Sequence, residues 1–238
     1  MTVKPLIFFV HVPKTAGSTV NRMLERFDAN GRAHCEALLK QPDKMREAAE
    51  TLTWMSGHIG LTGAREKVVE VTDRPVRLFT CMRNPTAQVM SHYNWLIEIF
   101  NKGERFYERH SDRIKEISAT LRAADNNDPA TVIANLEAFN QLFLNFQSRP
   151  VLGRGFNWNK DSLIERLDAY EFIASEATLG DLFETMTGTR PEEEVFENTS
   201  RYNFDKAVFS TPEVRDFLRR NNTLDEILYG IVTGRAGI

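Results

Sequence analysis

Five apolar residues in a row, Leu6-Ile7-Phe8-Phe9-Val10, run into a turn of small residues and then into an amphipathic segment. The run is branched and aromatic with no polar position to face water, so it predicts a strand buried on both faces. Such a strand needs a layer of structure above it and another below. Beyond the turn, Val20, Leu24 and Phe27 recur at spacings of four and three, which fall on one side of a helix. The chain therefore opens as strand, turn, helix.

The same alternation continues. Thr53-Trp54-Met55-Ser56 reads as a second strand ending in Gly57-His58, and Val76 to Met82 as a third ending at Arg83-Asn84-Pro85. Pro85 suits the first turn of a following helix, where its missing N–H costs nothing. That helix is expected to carry Val89, Tyr93, Leu96 or Ile97, and Phe100 on one side. Residues 101–130 are highly charged and hold Gly103 and Asn126-Asn127-Asp128-Pro129, which predicts a short helix between mobile loops, a candidate acceptor-side lid or equally a solvated face. One strong helix is expected with Val132, Leu136, Phe139, Phe143 and Phe146 as its stripe. A buried strand follows at Tyr170 to Ala174, and a last helix carries Leu224, Ile227, Leu228 and Ile231. Trp95, Trp158 and the phenylalanines read as core. Strands alternating with helices predict an α/β fold in three layers, with a mainly parallel central sheet. A length of 238 residues fits one domain spanning 1–238.

Composition narrows the partners. A share of 42% hydrophobic and 26% charged residues is that of a globular chain. A formal charge of -3 gives no electrostatic footprint for nucleic acid. Two cysteines, Cys35 and Cys81, make neither a disulfide framework nor a four-ligand zinc site, so a reducing compartment is the expectation. Leu6 to Val10 is too short for a signal-peptide core, and no later run approaches a membrane span. A cytoplasmic protein without a transmembrane segment is expected.

The first turn, His11-Val12-Pro13-Lys14-Thr15-Ala16-Gly17-Ser18-Thr19, has the makings of a phosphate cradle. Backbone N–H groups at a helix start point at an anion, and the helix dipole favours negative charge there. Ala16 and Gly17 admit close approach, Ser18 and Thr19 add hydroxyls, and Lys14 adds a cation. The plain alternative is a helix start with a lysine nearby. A Walker A loop has its lysine after the second glycine, whereas Lys14 precedes Gly17. A magnesium-dependent phosphotransferase also wants an aspartate at a neighbouring strand end, where this chain has Arg83.

These residues resemble a known family. The segment from His11 to Thr19 is similar to the 5′-phosphosulfate loop of the sulfotransferases that include the heparan sulfate 2-O-sulfotransferases and bacterial relatives. Arg83-Asn84-Pro85 with Ser91 resembles that family's 3′-phosphate motif. Asn145-Phe146-Gln147-Ser148-Arg149 with Leu152-Gly153, and Asn222 with Asp225 and Leu228-Tyr229, are similar to later segments. The resemblance implies a three-layer α/β fold related to P-loop kinases. It also implies 3′-phosphoadenosine 5′-phosphosulfate (PAPS) as sulfuryl donor, 3′-phosphoadenosine 5′-phosphate (PAP) as product, and no required metal. The acceptor would bear a hydroxyl, on a carbohydrate, lipid or small alcohol. Pro13, Lys14, Thr15, Ala16, Gly17, Ser18, Thr19, Arg83 and Ser91 would bind the cofactor.

Two residues are candidates for the chemistry. Lys14 would meet negative charge building on the leaving phosphate. His58 would take the acceptor's proton, since an imidazole titrates near neutral pH and strand ends in open α/β sheets face the ligand crevice. It also resembles the second histidine of the family's His-Gly-His pattern, whose first histidine is Ser56 here. A structural turn histidine is the alternative. His11 is read as bracing the turn, His92 as facing core or cofactor, and His34 and His110 as solvated. With five histidines lacking paired carboxylate or cysteine spacing, no metal site is expected. Arg201 is a candidate for the 3′-phosphate or a surface residue, and Glu176 reads as structural. Two other functions stay open: a nucleotide phosphotransferase with an atypical P-loop, and a non-catalytic nucleotide-binding module.

Overall fold

A computed structural model describes residues 4–191 and 201–234. The chain begins β1 (Leu6–Val10), α1 (Gly17–Phe27), β2 (Gly31–Arg32), α2 (Pro42–Thr51), β3 (Trp54–Gly57), α3 (Leu61–Lys67) and β4 (Val76–Cys81). It continues with α4 (Pro85–Asn101), α5 (Glu104–Tyr107), α6 (Asp112–Ala123), α7 (Pro129–Ala138) and α8 (Asn140–Phe143). Then come α9 (Ser148–Leu152), α10 (Lys160–Leu167), β5 (Phe172–Ala174), α11 (Leu179–Thr187), α12 (Pro212–Asn221) and α13 (Thr223–Val232). Two compact units result: Met1–Arg83 with Gln147–Glu197 and Leu228–Ile238, and Asn84–Phe146 with Asn198–Ile227. No helix among the described residues is long and apolar enough to cross a membrane.

The first unit holds a five-stranded, all-parallel sheet in the order β2-β3-β1-β4-β5. All five residues of β1 are buried, and its side chains alternate between two cores. Leu6, Phe8 and Val10 meet Met55, Leu78 and residues of α2, α3 and α9; Ile7 and Phe9 meet Trp54, Phe79 and residues of α1 and α11. An apolar run without polar alternation thus becomes the centre of three layers, as expected for a strand covered on both faces. Each fully buried side chain of this kind contributes about 1.5–3 kcal/mol. Arg74 fastens one end of the sheet. Its guanidinium donates to the carbonyls of Ala49, Glu50 and Leu52 at the end of α2, and to Lys4 O ahead of β1.

The second unit is helical around Val89, Tyr93, Leu96 and Ile97 of α4, which pack with Ile117 and Leu121 of α6 and Val132 and Leu136 of α7. Tyr93 donates to Asn126 Oδ1 at 2.6 Å and accepts from Asn135 Nδ2 at 2.8 Å. Asn145, in the left-handed region at φ 51, ties the start of α13. Its side-chain oxygen accepts from Leu224 N–H at 2.8 Å, and its own N–H donates to Asn222 Oδ1.

Several sequence expectations need correction. Residues 101–130 hold α5 and a twelve-residue α6 whose Ile117 and Leu121 are buried, because two apolar positions four apart suffice to seat a charged helix. The stripe from Val132 to Phe146 is two helices, broken at Phe139 (φ -113, ψ 34). Phe27, Phe100 and Trp158 are exposed rather than core. Phe100 is covered instead by the Arg122 guanidinium 3.8 Å above its ring, a cation–π contact. The strand expected from Tyr170 begins at Phe172; Tyr170 is buried and donates to Val151 O at 2.9 Å.

Candidate active site at the carboxyl ends of the strands

The chain leaves β1 at the centre of the sheet, runs to the β2 edge, and returns past β1 to reach β4. Ligands of open parallel sheets bind outside the carboxyl ends of the strands at such a reversal. His11 to Ala16 occupy that position, directly after Val10 and ahead of α1.

Lys14 and Ala16 take left-handed φ values of 68 and 73, with Thr15 between them on the ordinary side. For residues with a Cβ this conformation costs about 1–2 kcal/mol each. Alternating conformations of this kind turn successive N–H groups into one concavity. Ala16 also offers no side chain to cap the start of α1. Thr15 pins the strained turn from behind. It is fully buried, its hydroxyl donates to Val12 O at 2.9 Å, and its carbonyl accepts from Cys81 Sγ at 2.6 Å. Burial pushes the Cys81 thiol up to about 12, so that sulfur is an inert brace. Gly17 is required by close approach: a Cβ there would lie 2.0 Å from His11 Cδ2. Pro13 and Lys14 are half-buried, Ser18 is exposed and Thr19 is buried.

Parallel register brings Arg83 to this turn. Val10 pairs with Thr80, and three residues further along each strand lie Pro13 and Arg83. Gln147, fully buried, grips the Arg83 main chain at both ends: its Oε1 accepts from Arg83 N–H at 2.8 Å and its Nε2 donates to Arg83 O at 3.0 Å. The guanidinium reaches back to Lys14 O at 3.5 Å. Next in sequence, Asn84 caps α4 through Ala87 N–H at 3.1 Å, with Pro85 in the first turn as expected. Ser91 is buried on α4, in the second unit.

On the other side of β1, register gathers three histidines. Val10 pairs with Gly57, so His11 and His58 follow side by side; Gly31 pairs with Trp54, so His34 comes level with Gly57. Ring centroids are 4.3 Å apart for His11–His58, 5.7 Å for His34–His58 and 6.1 Å for His11–His34. His58 Nδ1 lies 2.8 Å from His11 O. A carbonyl only accepts, so Nδ1 carries the proton, and the neutral ring has its lone pair on Nε2. Glu36 bridges His58 and His34: its Oε2 accepts from the His58 main-chain N–H at 3.1 Å, and its Oε1 lies 3.2 Å from His34 Nδ1. Gly57 makes room for this, since a Cβ would stand 2.6 Å from Glu36 Oε2. Ser56 is turned inward and donates to Asn21 Oδ1 beneath the turn.

His11 is buried at the hub. Burial, then the charges of His58, His34 and Lys14, lower its pKa to about 3. A depressed folded-state value means the unfolded chain binds the proton first. The stability this contributes is complete above the ordinary value of 6.5 and is lost as pH falls toward about 3. Between pH 6.5 and 5 one such proton is expected to cost about 2 kcal/mol. Thermal melting from pH 7 to 5 checks this: His11→Gln is expected to show the smaller acid-induced drop in Tm, and an equal drop would disprove it.

Among the residues singled out from sequence, the turn, Arg83 and His58 meet at one end of the sheet. His92 and His110 lie in the second unit, the first with its ring tilted against Phe146 at 4.7 Å and the second 5.0 Å from Phe106. Arg201 is held through its carbonyl, which accepts from Asn94 Nδ2 at 3.0 Å, while 198–200 lie outside the described residues. Glu176 accepts from the Tyr229 hydroxyl at 3.1 Å. Sequence reasoning missed Glu36, the grip of Gln147 on the Arg83 main chain and the placement of His34 beside His58.

The chain matches no protein-family model, and comparison with curated proteins finds no match either. Among solved structures it is similar to mouse sulfotransferase SULT7A1 complexed with PAP, at 15% identity and a TM-score of 0.36, over 97% of this chain and 90% of that one. A likeness that distant carries no weight in reading the site. The fold itself, a three-layer α/β unit on an all-parallel sheet, stands on the strand pairing.

Proposed function

We propose that the chain is a PAPS-dependent O-sulfotransferase that transfers a sulfuryl group to an acceptor hydroxyl by in-line displacement. The observation that carries this reading is the pairing of two cations at the sheet's reversal: Lys14 in the strained turn, and Arg83, gripped by Gln147, at the end of β4. A nucleotide with phosphates at both its 5′ and 3′ positions asks for two separate cationic contacts. The turn fits the group as well, because the alternating left-handed φ of Lys14 and Ala16 turns successive backbone N–H groups to one side, a nest for an anion.

When bound, PAPS supplies the sulfuryl group and leaves as PAP. The residues of the chain then have distinct tasks. Turn N–H groups and Lys14 would hold the 5′ end, and Lys14 would offset charge on the departing phosphate oxygen. Arg83 would meet the 3′-phosphate as a fork. His58 Nε2 would accept the acceptor's proton as the new oxygen–sulfur bond forms and the bond to the phosphate breaks. The His11 carbonyl, bonded to Nδ1, keeps that nitrogen turned outward.

Calorimetric titration with PAP, against AMP and ATP–magnesium, tests the cofactor. Binding is expected to need the 3′-phosphate and to weaken about a hundred-fold in Arg83→Ala, the cost of a lost charge-assisted pair. Preference for ATP–magnesium with indifference to the 3′-phosphate would overturn the reading and favour a phosphotransferase.

A further inference from the structure

Beyond this reading, we infer that His34, Glu36 and His58 form an open, three-ligand site for a divalent first-row cation of the zinc type. One nitrogen of each imidazole and one carboxylate oxygen all lie within 4.8 Å of one another. Two ligands each about 2.1 Å from a tetrahedral ion stand about 3.4 Å apart, and His34 Nδ1 and Glu36 Oε1 are 3.2 Å apart. Two histidines and one carboxylate suit zinc among the common cations, with a fourth position left for an oxygen ligand.

Three independent features support ligation over a chance cluster. His58 gives its Nδ1 proton to a backbone carbonyl, the outer hydrogen bond that metal-bound imidazoles regularly make, and this leaves Nε2 as donor atom. His34 is held at φ 56, a left-handed conformation that costs energy in a residue with a Cβ and that gathers at functional positions. Glu36 is fixed by its bond to the His58 N–H, so its other oxygen is positioned before any ion arrives. His58 follows the carboxyl end of β3 directly, and His34 and Glu36 follow β2 in the turn and short 3₁₀ helix beside it, so the parallel pairing of β2 with β3 brings the three together.

Ligation and base catalysis draw on the same His58 lone pair, so a bound cation and proton transfer exclude each other. That consequence rests on the transferase reading; the binding itself does not.

The test uses the full chain, tag-free and stripped with chelator, titrated with Zn²⁺ by calorimetry and with Co²⁺ by visible absorption, without nucleotide. One equivalent is expected to bind, with the intense absorption of four-coordinate Co²⁺. His34→Asn, which tolerates the left-handed backbone, and Glu36→Gln, which keeps an acceptor for the His58 N–H, are each expected to weaken binding about a hundred-fold. Melting curves like the wild type's would show both variants folded, and His110→Ala is expected to bind as the wild type does. Absence of saturable binding to the wild type, or unchanged affinity in both folded variants, would overturn the site. Failure here leaves PAP binding untouched, so the two results are separable.

Discussion

Lys14→Ala is expected to lower PAPS-dependent turnover about a thousand-fold, the loss usual when a preorganised charge is removed from a site of developing negative charge. The position explains the size. Lys14 sits at φ 68 in a turn pinned by Thr15 and Cys81, so its backbone is already committed to the geometry before any ligand arrives. Removing the side chain should leave that backbone in place, because the turn is held by the Thr15 hydroxyl and carbonyl and by the close packing of Gly17. PAP affinity is therefore expected to fall less than kcat, about ten-fold, since the turn N–H groups remain. Single-turnover rates and PAP titration, measured on the same preparation, separate the two effects. A variant that loses PAP binding and kcat in equal proportion would make Lys14 a binding residue only.

What the sequence disclosed follows from where its signals are local. The β1–turn–α1 opening is legible because burial on both faces demands an unbroken apolar run, and because Gly17 and the small residues beside it are contiguous. Arg83-Asn84-Pro85 is legible for the same reason: a strand end, an N-cap and an N1 proline stand in consecutive positions. His34 was not, since it depends on β2, two residues long with no periodicity to betray a strand. Glu36 lies in a short 3₁₀ turn and becomes relevant only through the parallel pairing of β2 with β3. Gln147 acts on Arg83 across 64 residues of chain, and nothing adjacent to it in sequence marks that grip. Charged helices such as α6 are hidden by a related effect, because two or three buried positions in a dozen do not stand out from a solvated face.

His58→Ala is expected to lower kcat between about a hundred- and ten-thousand-fold, the range for removal of a general base. PAP affinity should stay within about two-fold, because a base serves the acceptor and contributes no charge to the phosphates. The distinctive readout is the pH profile. A base works only when unprotonated, so wild-type kcat falls on the acid side, and the variant is expected to lose that limb. The ring is exposed and its anchoring bond runs from Nδ1 to a main-chain carbonyl, so its removal opens no core cavity and the melting temperature should hold. His58→Gln serves as a second variant that fills the same space without a titratable nitrogen, and it should share the flat profile. Wild-type-like rates, or an acid limb that survives in both variants, would remove His58 from the chemistry. Such a result would leave the Lys14 and Arg83 contacts standing and direct attention to another proton acceptor near the acceptor hydroxyl.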